Sequence, residues 1–300
     1  MVDLHTHSNA SDGDFSPALL VREAAKRGLC AVALTDHDTV KGLESAKTEA
    51  AETGIGFIPG IEININWKPV PGGGIPPEIY GLGPGGELHL LGLGINRPSP
   101  AFQAAVAELS RRREGRNREI LDKMHELSIE AGWDELLALS GGHSVGRPHF
   151  ADLLVNRKIV KTREQAFARY LGTGKPLYVP KEGLEFEEAA VLIRESGGIP
   201  ILAHPMSLYV AWGRLPDLIR ALKDRGLMGI EAWHPSAKLG ACRRLEQLAR
   251  SLGLYITEGS DFHSEALSDR KLGCSHKGRQ IQDSVLEAIP ELYHSVRGSS

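Results

Sequence analysis

The stretch Cys30-Ala31-Val32-Ala33-Leu34-Thr35-Asp36-His37-Asp38 runs from an unbroken apolar segment straight into titratable residues. Apolar residues without polar alternation predict a strand buried on both faces, as in a parallel sheet covered by helices. Asp36, His37 and Asp38 at the end of such a strand are more than a turn requires.

The flanking sequence extends the pattern. Ser16-Pro17 opens a predicted helix to about Lys26, because serine caps and proline suits the first helical turn. Gly28 ends it. Thr39 is expected to cap a second helix ending at Gly54, and residues 57–63 form the next strand. The last third repeats the rhythm, with helices over 186–195, 215–225 and 243–252 and strands over 199–203, 229–233 and 254–257. Strands alternating with helices imply parallel pairing through right-handed crossovers. A chain of 300 residues suits an α/β barrel carrying an insertion.

The middle departs from that rhythm. Residues 71–86 are rich in glycine and proline and read as a loop or loose hairpin. Residues 100–139 are helical in pattern and carry Arg111, Arg112, Arg113, Arg116 and Arg118, and 146–172 are mainly helical. The expected division is a barrel from 1–98 and 184–300, with a mainly helical insertion over 99–183.

The net charge is −3, so the surface as a whole is no polyanion trap. A nucleotide can still bind in a local basic pocket, whereas long duplex DNA is not expected. Cys30, Cys242 and Cys274 are too few and too widely spaced for a zinc knuckle or disulfide framework, which fits a reducing cytoplasm. No apolar run reaches membrane-spanning length, and the amino terminus does not read as a signal peptide. No protein partner is evident.

The remaining signal is a set of histidines and carboxylates. His5-x-His7 puts two imidazoles on one side of a strand. Asp12 lies in Ser11-Asp12-Gly13, and Glu62 interrupts an apolar run where a charge is costly unless paired or metal-bound. His89 also has apolar neighbours. His204 ends the strand over 199–203, and Asp261-x-His263 follows the last one. His5, His7, His37, Glu62, His204, Asp261 and His263 all fall at or just beyond the carboxyl ends of predicted strands. In an α/β barrel those ends share the face that carries the site. Such a cluster points to a catalytic metal site.

Asp3-Leu4-His5-Thr6-His7, Ser11-Asp12-Gly13, Thr35-Asp36-His37-Asp38, Pro59-Gly60-Ile61-Glu62, His89-Leu90-Leu91-Gly92, Ala203-His204-Pro205 and Ser260-Asp261-Phe262-His263 together resemble the PHP (polymerase and histidinol phosphatase) family of metal phosphoesterases. The resemblance implies a distorted (β/α)7 barrel with three metals. It implies His5, His7, Glu62 and Asp261 on the first, Glu62 bridging to a second held by His89 and His204, and Asp12, His37 and His263 on the third. Many relatives carry histidine where Asp12 stands. Aspartate there resembles the subgroup of nucleoside 3′,5′-bisphosphate phosphatases and 5′→3′ oligoribonucleases. The insertion resembles theirs too, with an Arg-x-His element matched by Arg147-Pro148-His149. The gap from Glu62 to His89 is longer than usual for that subgroup.

These readings set the expectations. The cofactor is two to three divalent metal ions. An all N/O ligand set admits Mn²⁺, Fe²⁺ or Zn²⁺, and the resemblance puts Mn²⁺ first. Two nearby cations bring the pKa of a water toward about 7 and neutralise phosphoryl oxygens. The catalytic candidates are Glu62 and Asp261, as metal holders, with His204 or His263 protonating the leaving oxygen. Arg116, Arg147, His149 and Lys175 are the substrate-binding candidates, since Arg binds phosphate bidentately and Lys as a point charge. Glu231 and His234 end a strand on the same face and are expected to play supporting roles. The expected reaction is hydrolysis at the 5′-phosphate of small nucleotides, or of short RNA from its 5′ end. Alternatives are a histidinol-phosphate phosphatase and a non-catalytic metal-binding scaffold.

Overall fold

A computed structural model describes residues 1–66, 86–142, 144–267 and 269–297. The Gly/Pro stretch read as a loop or hairpin lies almost wholly outside them. The strands are β1 (Val2–Asp3), β2 (Ala31–Leu34), β3 (Gly56–Ile65), β4 (Leu88–Leu93), β5 (Ile199–Leu202), β6 (Gly229–Trp233) and β7 (Tyr255–Glu258). They form one seven-stranded sheet in sequence order. A parallel bridge between Thr6 and Phe262 carries the sheet round from β7 toward β1, so it makes a nearly closed barrel.

The helices form where the local chemistry allows. In α1 (Pro17–Lys26) the Ser16 side chain accepts from the Leu19 amide, a cap that contributes about 1 kcal/mol. The α2 helix (Leu43–Thr53) begins after Gly42 and ends at Gly54 in the left-handed region (φ 73°). Thr39 does not cap it: its hydroxyl accepts from the Lys41 amide before the helix starts. Around the carboxyl half run α7 (Phe186–Glu195), α8 (Leu215–Asp224) and α9 (Leu239–Leu252). The α9 helix starts four residues earlier than its apolar pattern suggests, since Lys238 is its cap.

Parallel pairing holds for β1–β2–β3 and β5–β6–β7, while β4 is antiparallel to both neighbours. A parallel partner needs a long crossover, and no helical pattern lies between β3 and β4. The reversal matters for the site. It brings the start of β4, with His89, to the face where the other strands end, and registers His89 opposite Asn64 and Leu91 opposite Glu62.

Neighbouring residues of the strands belong to different apolar clusters. Val32 and Leu34 pack against α1 and α2, while Ala31, Ala33, Ile58, Leu91 and Ile201 pack with Leu286, Ile289 and Leu292. The latter three belong to α10 (Ser284–Glu287), α11 (Pro290–Arg297) and the turn between them.

Between β4 and α7 come α3 (Pro100–Glu126), α4 (Trp133–Leu139), α5 (Arg147–Asn156), α6 (Arg163–Ala166) and a π-helical turn (Phe167–Leu171). The α3 helix serves two cores. Phe102, Val106 and Leu109 join the barrel's cluster, whereas Ile120 and Met124 join Leu136, Phe150, Leu154, Leu171 and Leu177 in a separate one.

Candidate metal centre

Beyond β1, the backbone is tied to the segment that follows β7. The Asp261 amide donates to the His5 carbonyl and the His7 amide to that of Phe262, both at 2.9 Å. Asp3 fastens the same junction by accepting from the amides of Ser260 (3.0 Å) and Gly273 (2.7 Å). Burial pushes its pKa up to about 6 despite these bonds. Gly259 is required here. A Cβ would stand 2.3 Å from His5 Cβ and 2.5 Å from Glu231 Oε1.

Four ligand-type atoms then converge. His5 Nε2 and His7 Nε2 are 3.0 Å apart. Glu62 Oε2 lies 3.4 and 3.2 Å from them, and Asp261 Oδ1 3.5 and 3.2 Å. A tetrahedral ion with bonds of about 2.1 Å has ligand–ligand edges of about 3.4 Å. These five separations are close to such edges, and the ligand-type atoms fall into overlapping groups, His5 with His7 and Asp261, and His5 with Glu62 and His204.

Glu62, wholly buried, splits its oxygens between two groups. Oε1 meets His89 Nδ1 at 2.8 Å and His204 Nε2 at 2.9 Å. Oε2 faces His5, His7 and, at 2.9 Å, His37 Nδ1. Yet Glu62 Oε2 accepts no aligned hydrogen bond, and His7 Nδ1 is likewise buried without a partner. A buried carboxylate oxygen among imidazoles with no hydrogen bond of its own is what a cation's ligand looks like. A further group joins His7, Asp12, His37 and His263. Asp12 lies 3.4 Å from His263 Nε2 and 3.8 Å from His37 Nε2. The donor set of imidazole and carboxylate fits a cluster of divalent ions.

The electrostatics agree. Burial opposes ionisation of Asp12, Glu62 and Asp261, but neighbouring imidazoles, and Arg270 beside Asp261, hold all three well below the usual carboxylate range. Burial likewise opposes a charged His5, but Glu231, Glu62 and Asp261 hold it well above the usual range. The same balance takes His7 to about 9, while burial prevails at His37 and lowers it to about 4. The carboxylates stand ready as anionic ligands.

Supporting contacts fix the rings. Glu231 Oε1 meets His5 Nδ1 at 2.9 Å and Oε2 accepts from the His204 amide at 2.8 Å. His234 Nε2 approaches Asp261 Oδ2 at 3.2 Å. His263 Nδ1 lies 2.9 Å from the Asp261 carbonyl, which only accepts. A hydrogen on Nδ1 suits that contact, and Nε2 turns toward Asp12. His204 and Asp261 have φ of 25° and 49°. Left-handed backbone is unfavourable for side chains of this size and collects at functional sites.

Of the residues that end β2, only His37 faces the centre. Asp36 accepts from the Ser8 amide (2.8 Å) and the hydroxyls of Ser8 and Ser11 (both 2.6 Å), holding the loop that carries Asp12. Asp38 pairs with Arg113 at 2.8 Å.

Arg147 and Lys181 converge on Glu87, at 2.8 and 2.7 Å, and Glu87 in turn lies 3.2 Å from His89 Nε2. Burial, with Arg113 and Arg147 adding to it, lowers the Arg116 guanidinium to about 9, and its Nε has no hydrogen-bond partner. His149 accepts from the Gly146 amide at 2.8 Å, closing the start of α5. Lys175 is exposed, and Lys181 is the lysine that meets Glu87. Lys181, Glu87, Arg113 and Arg270 carry no motif or strand-end signal that singles them out in the sequence. His37, Glu62, His89, His204, Asp261 and His263 line a cleft of about 1100 Å³ that also includes Trp212, Lys238, Arg244 and Arg270.

Comparison with known proteins agrees with this geometry. A model of the PHP domain matches residues 3–174. The 5′-3′ exoribonuclease of Haemophilus influenzae is 35% identical over 261 residues, 87% of this chain and 89% of that protein. The 3′,5′-nucleoside bisphosphate phosphatase of Chromobacterium violaceum is 31% identical over 273 residues, 91% of this chain and 90% of that one. The structure of an amidohydrolase from Chromobacterium violaceum, with bound sulfate and no metal, superposes with a TM-score of 0.80 at 30% identity over 96% of each chain. The matched segment, the relatives and the fold show together that this chain belongs to the PHP domain family.

Proposed function

We propose that the protein is a metal-dependent phosphoesterase acting on nucleoside 3′,5′-bisphosphates or on short RNA from its 5′ end. The observation that carries this is Glu62, whose two oxygens address two ligand groups. In this reading His5, His7, Glu62 and Asp261 hold one ion, Glu62, His89 and His204 a second, and Asp12, His37 and His263 a third. Mn²⁺ is the first choice, with Fe²⁺ or Zn²⁺ compatible with the same donors. When bound, such ions activate water near neutral pH and offset phosphoryl charge.

The chain's own residues supply orientation and grip. His263, whose Nδ1 lies against the Asp261 carbonyl and whose Nε2 faces Asp12, serves as a ligand. Arg116 and Arg147, with Lys181 and His149 nearby in the chain fold, grip the phosphate that does not react. Residues 99–183 thus govern specificity, and the barrel carries the chemistry. An exonuclease starting at a 5′ end breaks the ester on the 3′ side of the first nucleotide, leaving the 5′-phosphate for the arginines. A bisphosphate in that pose reacts at its 3′-phosphate; in the reverse pose it reacts at its 5′-phosphate. Three widely spaced cysteines, which suggest no disulfide framework, fit a cytoplasmic setting.

The test is turnover by Mn²⁺-loaded protein of adenosine 3′,5′-bisphosphate, a 5′-phosphorylated tetraribonucleotide and histidinol phosphate, with the adenosine monophosphate isomer identified. Hydrolysis of either nucleotide substrate in preference to histidinol phosphate supports the reading. Preference for histidinol phosphate, or no turnover of any, overturns it.

A further inference from the structure

One end of the metal cleft has a composition that the ligands and the arginines of the insertion do not account for. Its wall is built by Tyr209, Trp212, Lys238 and Arg244, on the segment after β5 and at the start of α9. Tyr209 is 78% exposed, the highest value among the large apolar side chains exposed in the described residues. Its backbone has φ of 52°, and the short 3₁₀ turn Pro205–Leu208 separates it from His204 at φ 25°. An exposed aromatic held in an unfavourable backbone conformation recovers little by packing, which points to a role outside the core. Trp212 is half-buried, and the Arg244 guanidinium lies 4.4 Å from the centre of its ring. The lining includes Lys238 and Arg244, and its carboxylates, Glu62, Glu87 and Asp261, all lie against the ligand-type histidines.

Aromatic faces beside cations, continuous with a phosphoester site, match one class of ligand. Unpaired bases stack on aromatic rings, and the connecting phosphates pair with Arg and Lys. Duplex bases are already stacked and offer no free faces. We infer that Tyr209, Trp212, Arg244 and Lys238 form a subsite for single-stranded RNA on the 3′ side of the bond that is cut. A base stacks on Tyr209 or Trp212, and the next phosphate lies against Arg244 and Lys238. The subsite rests on the phosphoesterase reading and extends it: a chain of nucleotides, rather than a lone bisphosphate, fills the cleft.

The test uses metal-loaded protein and fluorescence anisotropy. The probes are a 5′-phosphorylated tetraribonucleotide whose first internucleotide link is a non-hydrolysable phosphonate, and the mononucleotide ending in that phosphonate. The wild type binds the longer probe more tightly. Tyr209→Ala and Arg244→Ala each weaken the tetranucleotide by roughly 5- to 100-fold and the mononucleotide far less. Tyr209→Phe, which keeps the ring, restores the affinity. Equal binding of both probes by the wild type, or variant losses equal on both or absent, overturns the subsite. Those results, accompanied by turnover of the bisphosphate, leave the esterase reading standing. Length-dependent binding lost in the variants, with no turnover of any nucleotide, sustains the subsite and sinks the esterase reading.

Discussion

His5 Nε2 and His7 Nε2 face each other at 3.0 Å inside a wholly buried pocket. Two neutral imidazoles in this relation share at most one hydrogen, and two charged ones repel. With carboxylate oxygens of Glu62 and Asp261 beside both rings, a cation between the rings relieves that conflict. The Asp3 tie fixes the backbone at this junction, and the Glu231 contact orients the His5 ring.

Glu62→Gln removes charge from a side chain that faces two ligand groups. Turnover of adenosine 3′,5′-bisphosphate is expected to fall by on the order of 10² or more, and further than in His263→Ala. Elemental analysis of the wild type is expected to give two to three ions per chain, with fewer retained in the variant. Near-normal turnover by Glu62→Gln would refute the bridging role.

Glu231→Ala frees the His5 ring and leaves the His204 amide without its acceptor. Loss of such a supporting carboxylate is expected to weaken metal affinity by roughly 10- to 100-fold. Activity should return at high Mn²⁺, because every proposed ligand remains. A metal titration that overlays the wild type would show that Glu231 serves packing alone.

Arg147→Ala tests the division between chemistry and grip. Its guanidinium is 2.8 Å from Glu87, a carboxylate standing where a phosphate could exchange in. For a nucleoside 3′,5′-bisphosphate, kcat/KM is expected to fall by roughly 10- to 1,000-fold, with a much smaller change for p-nitrophenyl phosphate. Metal content should stay intact. Equal losses on both substrates would place Arg147 on the reacting group or in the fold, and no loss on either would return it to the surface.

Much of the barrel was legible because its periodicity is local. Apolar runs such as residues 30–34 and caps such as Ser16 act over a few residues, and α1, α7 and β2 fall where those signals put them. The ligand-type residues were legible for a related reason. Charge beside a buried strand is costly, so its presence at strand ends marks a site. Thr39 failed as a cap because a hydroxyl that binds a nearby amide suits a turn as well as a helix.

The sequence by itself determined which residues are the ligand-type candidates, since residue type and strand-end position are local properties. Tertiary structure decided how they group. The antiparallel run of β4 brings His89 to Glu62, and closure from Phe262 to Thr6 brings Asp261 to His5 and His7. It also brought Lys181 to Glu87, and set Tyr209, Trp212 and Arg244 into the same cleft as the ligand-type residues. These are contacts between segments far apart in the chain, fixed by sheet register and helix packing, and no periodicity within a short window encodes them.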